Sequence, residues 1–338
     1  MKCYQVDGKG IDTLKLVDCP APKILHDEDV LIDVKACSLN YRDLMVAKGQ
    51  YNYKSEDFPL IPLSDMSGVV REVGSKVSDL KPGDRVLNSS FRHWPAGTLR
   101  SNWARTFVGG NGVNGILAEQ IVYPSEALVK LPAHLNFAEG ATFTIAGLTA
   151  WAAIVTHGKT RPGDWVLLQG TGGVSIFAAQ LARSLGAKTI MTTSSAEKAE
   201  FVKKNYGVTA TVNYHDADWG NQVKEITQGN GVNVVVNVAG GKSLNESVKI
   251  CTYGARVATI GNLSQQESTL DIRLLLTHQV HVIGIYMESM EELRAFMKAV
   301  EATKLKPVVD RTFSFQEVRE AYQYLESQKH IGKVVITL

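Results

Sequence analysis

Up to about residue 125, apolar residues come in short runs such as DVLIDVKAC, SGVVREVG, DRVLN and LAEQIVY, separated by Gly, Pro and Asp. Short runs bounded by turn formers are the mark of strands, and this part of the chain is expected to form an antiparallel, barrel-like domain. From Asn136 the rhythm changes: DWVLLQ, a helix through Gly186, AKTIMTT, a helix from Ala196, ATVNY, a helix near Trp219, VNVVVNV, a helix from Ser243, then RVATIG. Runs of β-branched residues alternating with helices predict a parallel, doubly wound sheet with right-handed crossovers. The run HVIGIY would close that sheet, and a last helix pair and KVVITL would return to the first domain. The expected division is residues 1–125 with 286–338, a discontinuous domain, and residues 126–285. The stretch from Asn88 to Gly115 is polar, rich in Gly and Trp and without a period, and it reads as either a functional lid or a mobile surface excursion.

Composition changes this picture little. Of 338 residues, 44% are apolar and 21% charged, which is ordinary for a globular protein. A formal charge of +2 provides no field to draw nucleic acid or an anionic membrane, and no basic, aromatic-studded stripe is present. The longest weakly polar run, Ala141 to Val155, is broken by threonines and falls short of the about 20 residues a bilayer requires. The opening MKCYQVDGKG has neither the apolar core nor the cleavage site of an export signal, so a cytoplasmic setting is expected. Cys3, Cys19, Cys37 and Cys251 are widely spaced with no C-x-x-C pair, fitting neither a disulfide framework nor a closed zinc site, and are expected to be thiols. His278 and His281 lie three apart in HQVHVIGIY, read as a strand entering the core; period two would put them on opposite faces rather than on one metal.

The chemistry begins at LLQGTGGVSIF, residues 167–177. It follows a strand, precedes a helix with apolar periodicity and opens the first βαβ unit, the setting in which a helix N-terminus meets a dinucleotide pyrophosphate. Gly170 suits the tight turn, and Gly172 or Gly173 lets the backbone approach phosphate, with Val174 next in the loop. Where G-x-G-x-x-G has its third glycine stands Ser175, one of the smallest substitutes, whose hydroxyl can cap the helix or face an anion. Two adjacent glycines at a helix start cost stability, which weighs against a loop that binds nothing.

NAD sites place an Asp or Glu about 20 residues further on, to accept from the ribose 2′-hydroxyl. Here the second strand ends IMTTSSAEK, with no acid before Glu197. Thr193, Ser194 and Ser195 supply donors and Lys198 a positive charge, a set that suits a 2′-phosphate. NADPH is therefore the expected cofactor.

At this point most of the chain, through DVLIDVKACSLNYRDLMVAKGQY, FPLIPLSDMSGVVREVGSKVSDLKPGDRV, AGLTAWAAI, RPGDWVLLQGTGGVSIFAAQLARSLGAK and FSFQEVREAYQYLESQKHIGKVVI in that order, resembles the medium-chain dehydrogenase/reductase superfamily. The resemblance implies a GroES-like β-rich catalytic domain and a Rossmann domain, with the active site in the cleft between them. Zinc members carry a catalytic cysteine in the first of these segments and Gly-His-Glu in the second; here those places read Asn40 and Leu63-Ser64-Asp65. The third ligand falls near Ile145, and the cysteine-rich structural zinc loop is missing. Without thiolate and imidazole, catalytic zinc is not expected.

What remains is similar to the zinc-free branch of quinone oxidoreductases and enone reductases, the zeta-crystallin-like members. That likeness implies Asn40 and Tyr51 beside the nicotinamide, Lys198 and Tyr214 on the 2′-phosphate, and Thr149 at the nicotinamide amide. It further implies that Asn237, Val238, Gly261, Asn262, Ile285 and Lys333 line the cofactor. Two departures stand out: the branch has glycine where Ser175 stands, and many members lack the Asn88–Gly115 segment.

The expected activity is hydride transfer from NADPH to a quinone or an α,β-unsaturated carbonyl. Asn40, Tyr51 and the cofactor ribose 2′-hydroxyl would polarise the carbonyl oxygen. Asp43 is expected to be a structural partner of Arg42 or nearby backbone, and Ser64 a pocket wall. An alternative is a zinc-free alcohol or carbonyl dehydrogenase, which would need a proton relay such as Ser64 with Tyr51. A third reading is an NADPH-binding protein with little catalysis. A homodimer is expected by family analogy.

Overall fold

A hairpin opens the chain: β1 (Lys2–Gln5) pairs antiparallel with β2 (Lys15–Asp18). Its register, with Cys3 opposite Val17, carries Cys19 close enough for a Cys3–Cys19 disulfide, Cα atoms 6.2 Å apart. The expectation of four thiols is corrected here; strand pairing, which spacing alone does not reveal, brings the two together. Cys37 and Cys251 are free and buried.

The main sheet of this part is built on β3 (Asp29–Ser38), ten residues long. It pairs antiparallel with β4 (Asp65–Val73), which continues to β5 (Arg85–Asn88) and, beyond β6 (Gln120–Pro124), to β7 (Leu128–Lys130). The strand β6 pairs with β3 itself. Val30, Ile32, Val34 and Cys37 of β3 enter a core shared with Leu60, Met66, Val86, Tyr123 and Tyr322.

The second part follows the expected alternation closely. Its strands are β8 (Trp165–Gln169), β9 (Lys188–Thr192), β10 (Ala210–Val212), β11 (Val232–Asn237), β12 (Cys251–Thr259) and β13 (His281–Gly284). All pair parallel in the order β10-β9-β8-β11-β12-β13, the Rossmann order, with helices Gly173–Ser184, Ala196–Tyr206, Trp219–Ile226 and Lys242–Lys249 between them. Strand order reverses between β8 and β11, where such folds open a crevice at the strands' C-terminal ends. The chain then returns through β14 (Val309–Ser314) and β15 (Lys333–Thr337), and β15 pairs antiparallel with β3.

The computed structural model describes residues 1–50, 55–110 and 112–338. It divides into Met1–Leu148 with Glu288–Leu338, and Thr149–Met287. The first boundary thus falls later than the expected 125/126. The physical reason is pairing: β7 bonds to β5, and helix Phe137–Gly140 packs on β3 and β4, so residues 126–148 join the first unit.

Two other expectations change. His278 ends a helix, Ile272–His278, and left-handed Gln279 separates it from β13, an edge strand on which His281 is exposed. The Asn88–Gly115 segment, in its described residues, is a packed lobe. Phe91, Trp94 and Phe107 are buried, with the Phe91 ring in contact with both of the others, Arg92 bonds the Val122 carbonyl, and His93 meets Glu126. The carbonyls of Trp94 and Pro95 accept from Met290 and Glu291, satisfying first-turn N–H groups of helix Met290–Thr303. Aromatic burial of this kind outweighs the missing period.

Candidate functional site

In the first unit, the end of β3 is flanked by the first residues of two neighbouring strands. Ser38 lies opposite Asp65 of β4, while on the other side Leu39 donates its N–H to Val334 of β15. The next residue, Asn40, leaves the sheet as the N-cap of helix Tyr41–Ala47. Asn40 Nδ2 donates to Asp65 Oδ2 at 2.9 Å, and Asn40 Oδ1 accepts from Lys333 Nζ at 2.6 Å. Lys333 also donates to the Leu39 carbonyl at 2.5 Å and lies 3.8 Å from Asp65 Oδ2, which accepts from Ser38 as well.

Burial pushes the Asp65 carboxyl up and the Lys333 ammonium down, each opposed by the charge of the other. The ionised pair is favoured by hydrogen-bond partners of the right kind: two acceptors around the Lys333 nitrogen and two donors on the Asp65 carboxyl. Asp65 Oδ1 is buried with no hydrogen-bond partner among the described residues.

One turn along, a second pair adjoins this group. Asp43 accepts from the Asn40 backbone N–H at 2.8 Å and from Arg42 at 3.2 Å, so it is the structural partner expected of it. Burial raises its carboxyl to about 6 against the lowering by Arg42. Arg42 also bonds Ser64 Oγ and the Gly109 carbonyl and stacks on Phe107, 4.3 Å from the ring centre. Ser64 is fully buried and its hydroxyl donates to the Val108 carbonyl at 2.9 Å, so its proton is already committed. Leu63 before it has φ 70, a left-handed conformation that costs a non-glycine residue about 1–2 kcal/mol. The packed lobe holds it there: a Cβ on Gly109 or Gly115 would lie 2.4 or 2.1 Å from the Leu63 carbonyl oxygen. Tyr51 lies outside the described residues.

In the second unit, Gly170 turns the chain at φ 73 after β8, and nothing lies within 4 Å of a Cβ placed on Gly170 or Gly172. Gly172 is the N-cap of helix Gly173–Ser184 and brings no side-chain acceptor, leaving first-turn N–H groups for a ligand; Gly173 and Val174 are half-buried beside it. Ser175 does neither thing expected of it. It is buried, and its hydroxyl donates back to the Gln169 carbonyl at 2.6 Å, locking the helix to the strand it follows. This loop, with open space and free amides, fits a pyrophosphate.

At the ends of β9 and β10, Tyr214 Oη donates to Ser194 Oγ at 3.1 Å. Thr193 is buried and accepts from Ser195 N–H, and Ser195 caps helix Ala196–Tyr206 by accepting from Lys198 N–H. The hydroxyls of Ser194 and Tyr214 thus meet beside the N-terminus of helix Ala196–Tyr206, whose first turn includes Lys198.

Further along the same edge the picture is more internal than expected. Asn237 is fully buried; its amide donates to Ser243 and Ser247 and accepts from Gly240 N–H. Gln169, which the sequence reading passed over, joins this net through Ser247 and Ala239 N–H. Its signal was a polar residue closing an apolar strand run. Val238 and Ala239 carbonyls accept from Leu263 and Ser264, zipping the turn after β11 to that after β12. Gly261 allows this approach, since a Cβ there would meet the Val238 oxygen at 2.9 Å. Asn262 is exposed and accepts from Ser264, Ile285 is buried with its N–H on Thr259, and Thr149 is buried. Lys333 is in the first unit, in the cluster described above.

A Rossmann-ordered sheet with an open glycine loop, joined to a GroES-type sheet carrying a buried polar cluster, defines a nucleotide-dependent oxidoreductase, and the chain belongs to the medium-chain dehydrogenase/reductase superfamily. Residues 26–133 match the alcohol dehydrogenase GroES-like domain and residues 173–302 the zinc-binding dehydrogenase family. A zinc-type alcohol dehydrogenase-like protein of Schizosaccharomyces pombe is 36% identical, covering 97% of this chain and 96% of that protein. Human quinone oxidoreductase is 28% identical, covering 97% and 95%. Among solved structures, an NAD-dependent alcohol dehydrogenase superposes with a TM-score of 0.90 at 31% identity, covering 100% of both chains. A mycobacterial protein complexed with NADPH does so with 0.83 at 25%, again covering 100% of both.

The name of the second family raises zinc. Where zinc members carry the catalytic cysteine and Gly-His-Glu stand Asn40 and Leu63-Ser64-Asp65, with Ile145 near the place of the third ligand, and among the described residues no group of three or more His, Cys, Asp or Glu is placed to hold a metal ion. A single carboxylate already engaged by an ammonium does not fit zinc. No helix among the described residues is long and apolar enough to cross a membrane.

Proposed function

We propose that the protein is a zinc-independent, NADPH-dependent reductase that transfers hydride to a quinone or an α,β-unsaturated carbonyl. The observation that carries this reading is the make-up of the cluster around Asn40: an amide, a carboxylate, an ammonium and hydroxyls stand where zinc relatives have thiolate and imidazole. Similarity to human quinone oxidoreductase supports the same class.

When bound, NADPH supplies the hydride. The chain's residues do the rest: the loop Gly170–Val174 receives the pyrophosphate on backbone N–H groups, and Ser194, Lys198 and Tyr214 receive the 2′-phosphate. Thr149, Thr193, Val238, Gly261, Asn262 and Ile285 complete the cofactor's surroundings. The Asn40 amide, with Tyr51, donates to the carbonyl oxygen where negative charge grows as hydride arrives, so that the charge is stabilised in the transition state. In an enone or quinone that charge is delocalised, and one or two neutral donors suffice; a ketone gives a localised alkoxide that needs a proton at once.

Names among the relatives favour a second reading, a zinc-free alcohol or carbonyl dehydrogenase. Against it, the Ser64 hydroxyl is already donating to Val108. Purified protein is expected to oxidise NADPH with quinones or enones and not with simple ketones, without stoichiometric metal. Turnover of ketones alone, or one zinc per chain lost together with activity, overturns the proposal. NADPH binding without turnover of any acceptor identifies a binding protein instead.

We propose that the protein forms a homodimer. Among the described residues β13 pairs on one side only, and helix Ile272–His278, which packs on β12 and precedes β13, exposes Ile272 and Leu276, which suits pairing with a second copy. The Cys3–Cys19 bond runs against a reducing compartment. Light scattering should return about twice 36.9 kDa.

A further inference from the structure

The amide of Asn40 is gripped at both ends. Its oxygen takes a hydrogen bond from the buried ammonium of Lys333 and its nitrogen gives one to the buried carboxylate of Asp65. An asparagine in water or among neutral groups has two amide orientations of similar energy, and side-chain networks choose between them. Here the choice is forced by charge: turning the amide over would set NH2 against NH3⁺ and oxygen against carboxylate.

The grip is a product of sheet register. Asp65 and Lys333 each begin a strand, β4 and β15, on opposite sides of β3, whose end delivers Asn40 between them. The backbone is fixed too, with Asn40 N–H on Asp43. Of the two hydrogens on Nδ2 one is used, and Asn40 is the partly exposed member of an otherwise buried group. Donation from the Lys333 nitrogen into the amide oxygen polarises the group and strengthens the remaining N–H as a donor, while the bond to Asp65 fixes its orientation.

We propose that Asp65 and Lys333 are positioning residues that lock and polarise the Asn40 amide, so that its free N–H is presented as the oxyanion donor of the reaction. The proposal rests on the reductase reading above for the role of Asn40, but the clamp itself is independent of it. It gives Lys333 a task within the first unit. Preorganised donors act by needing no reorientation as charge develops, so loss of the clamp falls on kcat rather than on cofactor affinity.

The test has two arms. In the kinetic arm, Asp65→Asn and Lys333→Met are made singly and in an Asn40→Ala background, using the full chain with NADPH and the best quinone or enone acceptor. Each single variant is expected to lower kcat by on the order of 10²-fold with NADPH affinity within about twofold. In the Asn40→Ala background the same changes should cost less than about twofold, because the group they position is gone. Full, multiplicative losses in both backgrounds mean a merely structural role and overturn the proposal, as does unchanged kcat in the singles. The paired Asp65→Asn/Lys333→Met variant, which leaves no buried charge unmatched, serves where a single variant fails to fold.

In the second arm, the side-chain amide resonances of Asn40, assigned by their loss in Asn40→Ala, are expected to be shifted downfield and slow to exchange, and to move to ordinary values in Asp65→Asn. Ordinary values in the wild type overturn the clamp. If the wild type turns over no acceptor, the reductase reading falls while this arm still decides the clamp.

Discussion

Tyr214 Oη donates to Ser194 Oγ at 3.1 Å, tying the turn after β10 to the turn after β9 at the start of helix Ala196–Tyr206. No carboxylate stands at this place between Thr192 and Glu197. The expected consequence is a preference for the 2′-phosphate. Lys198→Ala should weaken NADPH by roughly 10- to 100-fold and NADH by less than about twofold, as expected for loss of a charge-assisted contact. Tyr214→Phe should cost NADPH about 1 kcal/mol, close to fivefold. Ser194→Asp should reverse the preference. Fluorescence titration with both nucleotides measures all three, and equal losses for NADPH and NADH count against the assignment.

Asp43 makes a prediction about pH. Burial lifts its folded-state value from 3.8 to about 6. Because the folded state holds this proton more tightly than the unfolded chain, the contribution to stability is full below pH 4, declines as pH rises from about 4 to 6, and is gone above. The span is roughly 3 kcal/mol. Asp43→Asn removes the titration and leaves a constant offset from Arg42. Urea unfolding of both proteins between pH 4 and 7 should show the wild type losing stability relative to the variant as pH rises; a difference that stays flat refutes it.

Ser175 departs from the glycine of the fingerprint, and its hydrogen bond to the Gln169 carbonyl explains why this is tolerated. Ser175→Gly should cost about 1–2 kcal/mol, from a buried hydrogen bond and the lower helix propensity of glycine. NADPH affinity should stay within about twofold, since the amides proposed to meet the pyrophosphate precede it. Stability unchanged with altered affinity would mean that Ser175 faces the ligand after all.

Gln169 supports the opposite expectation. Its amide joins the end of β8 to Ser247 and to Ala239 N–H. Gln169→Leu leaves those groups without partners and should cost about 1–3 kcal/mol. It should also weaken NADPH, because the turn after β11 loses its anchor. Thermal unfolding with and without NADPH separates the two effects.

The sequence by itself determined the second unit almost completely. Parallel strands buried on both faces must be continuous apolar runs, and the glycine loop and hydroxyl-rich strand end are local features, so QGTGGVS and TTSSAEK present their candidate groups in adjacent residues. In the first unit the strands were legible but not their neighbours. Residues 126–148 joined that unit through β7 pairing with β5, the Asn88–Gly115 lobe is ordered by aromatic contacts with no period, and Cys19 reaches Cys3 only through hairpin register.

The same limit applied to the candidate site. Asn40 was legible because its place in the chain matched a family pattern, and Leu63-Ser64-Asp65 because it broke one. That Asp65 and Lys333, distant in sequence from Asn40 and from each other, grip one amide from two sides was decided only when β4 and β15 came to flank β3. A buried charge can be kept only where an opposite charge and the right donors and acceptors converge, and which residues converge is a property of register, to which a one-dimensional pattern is blind.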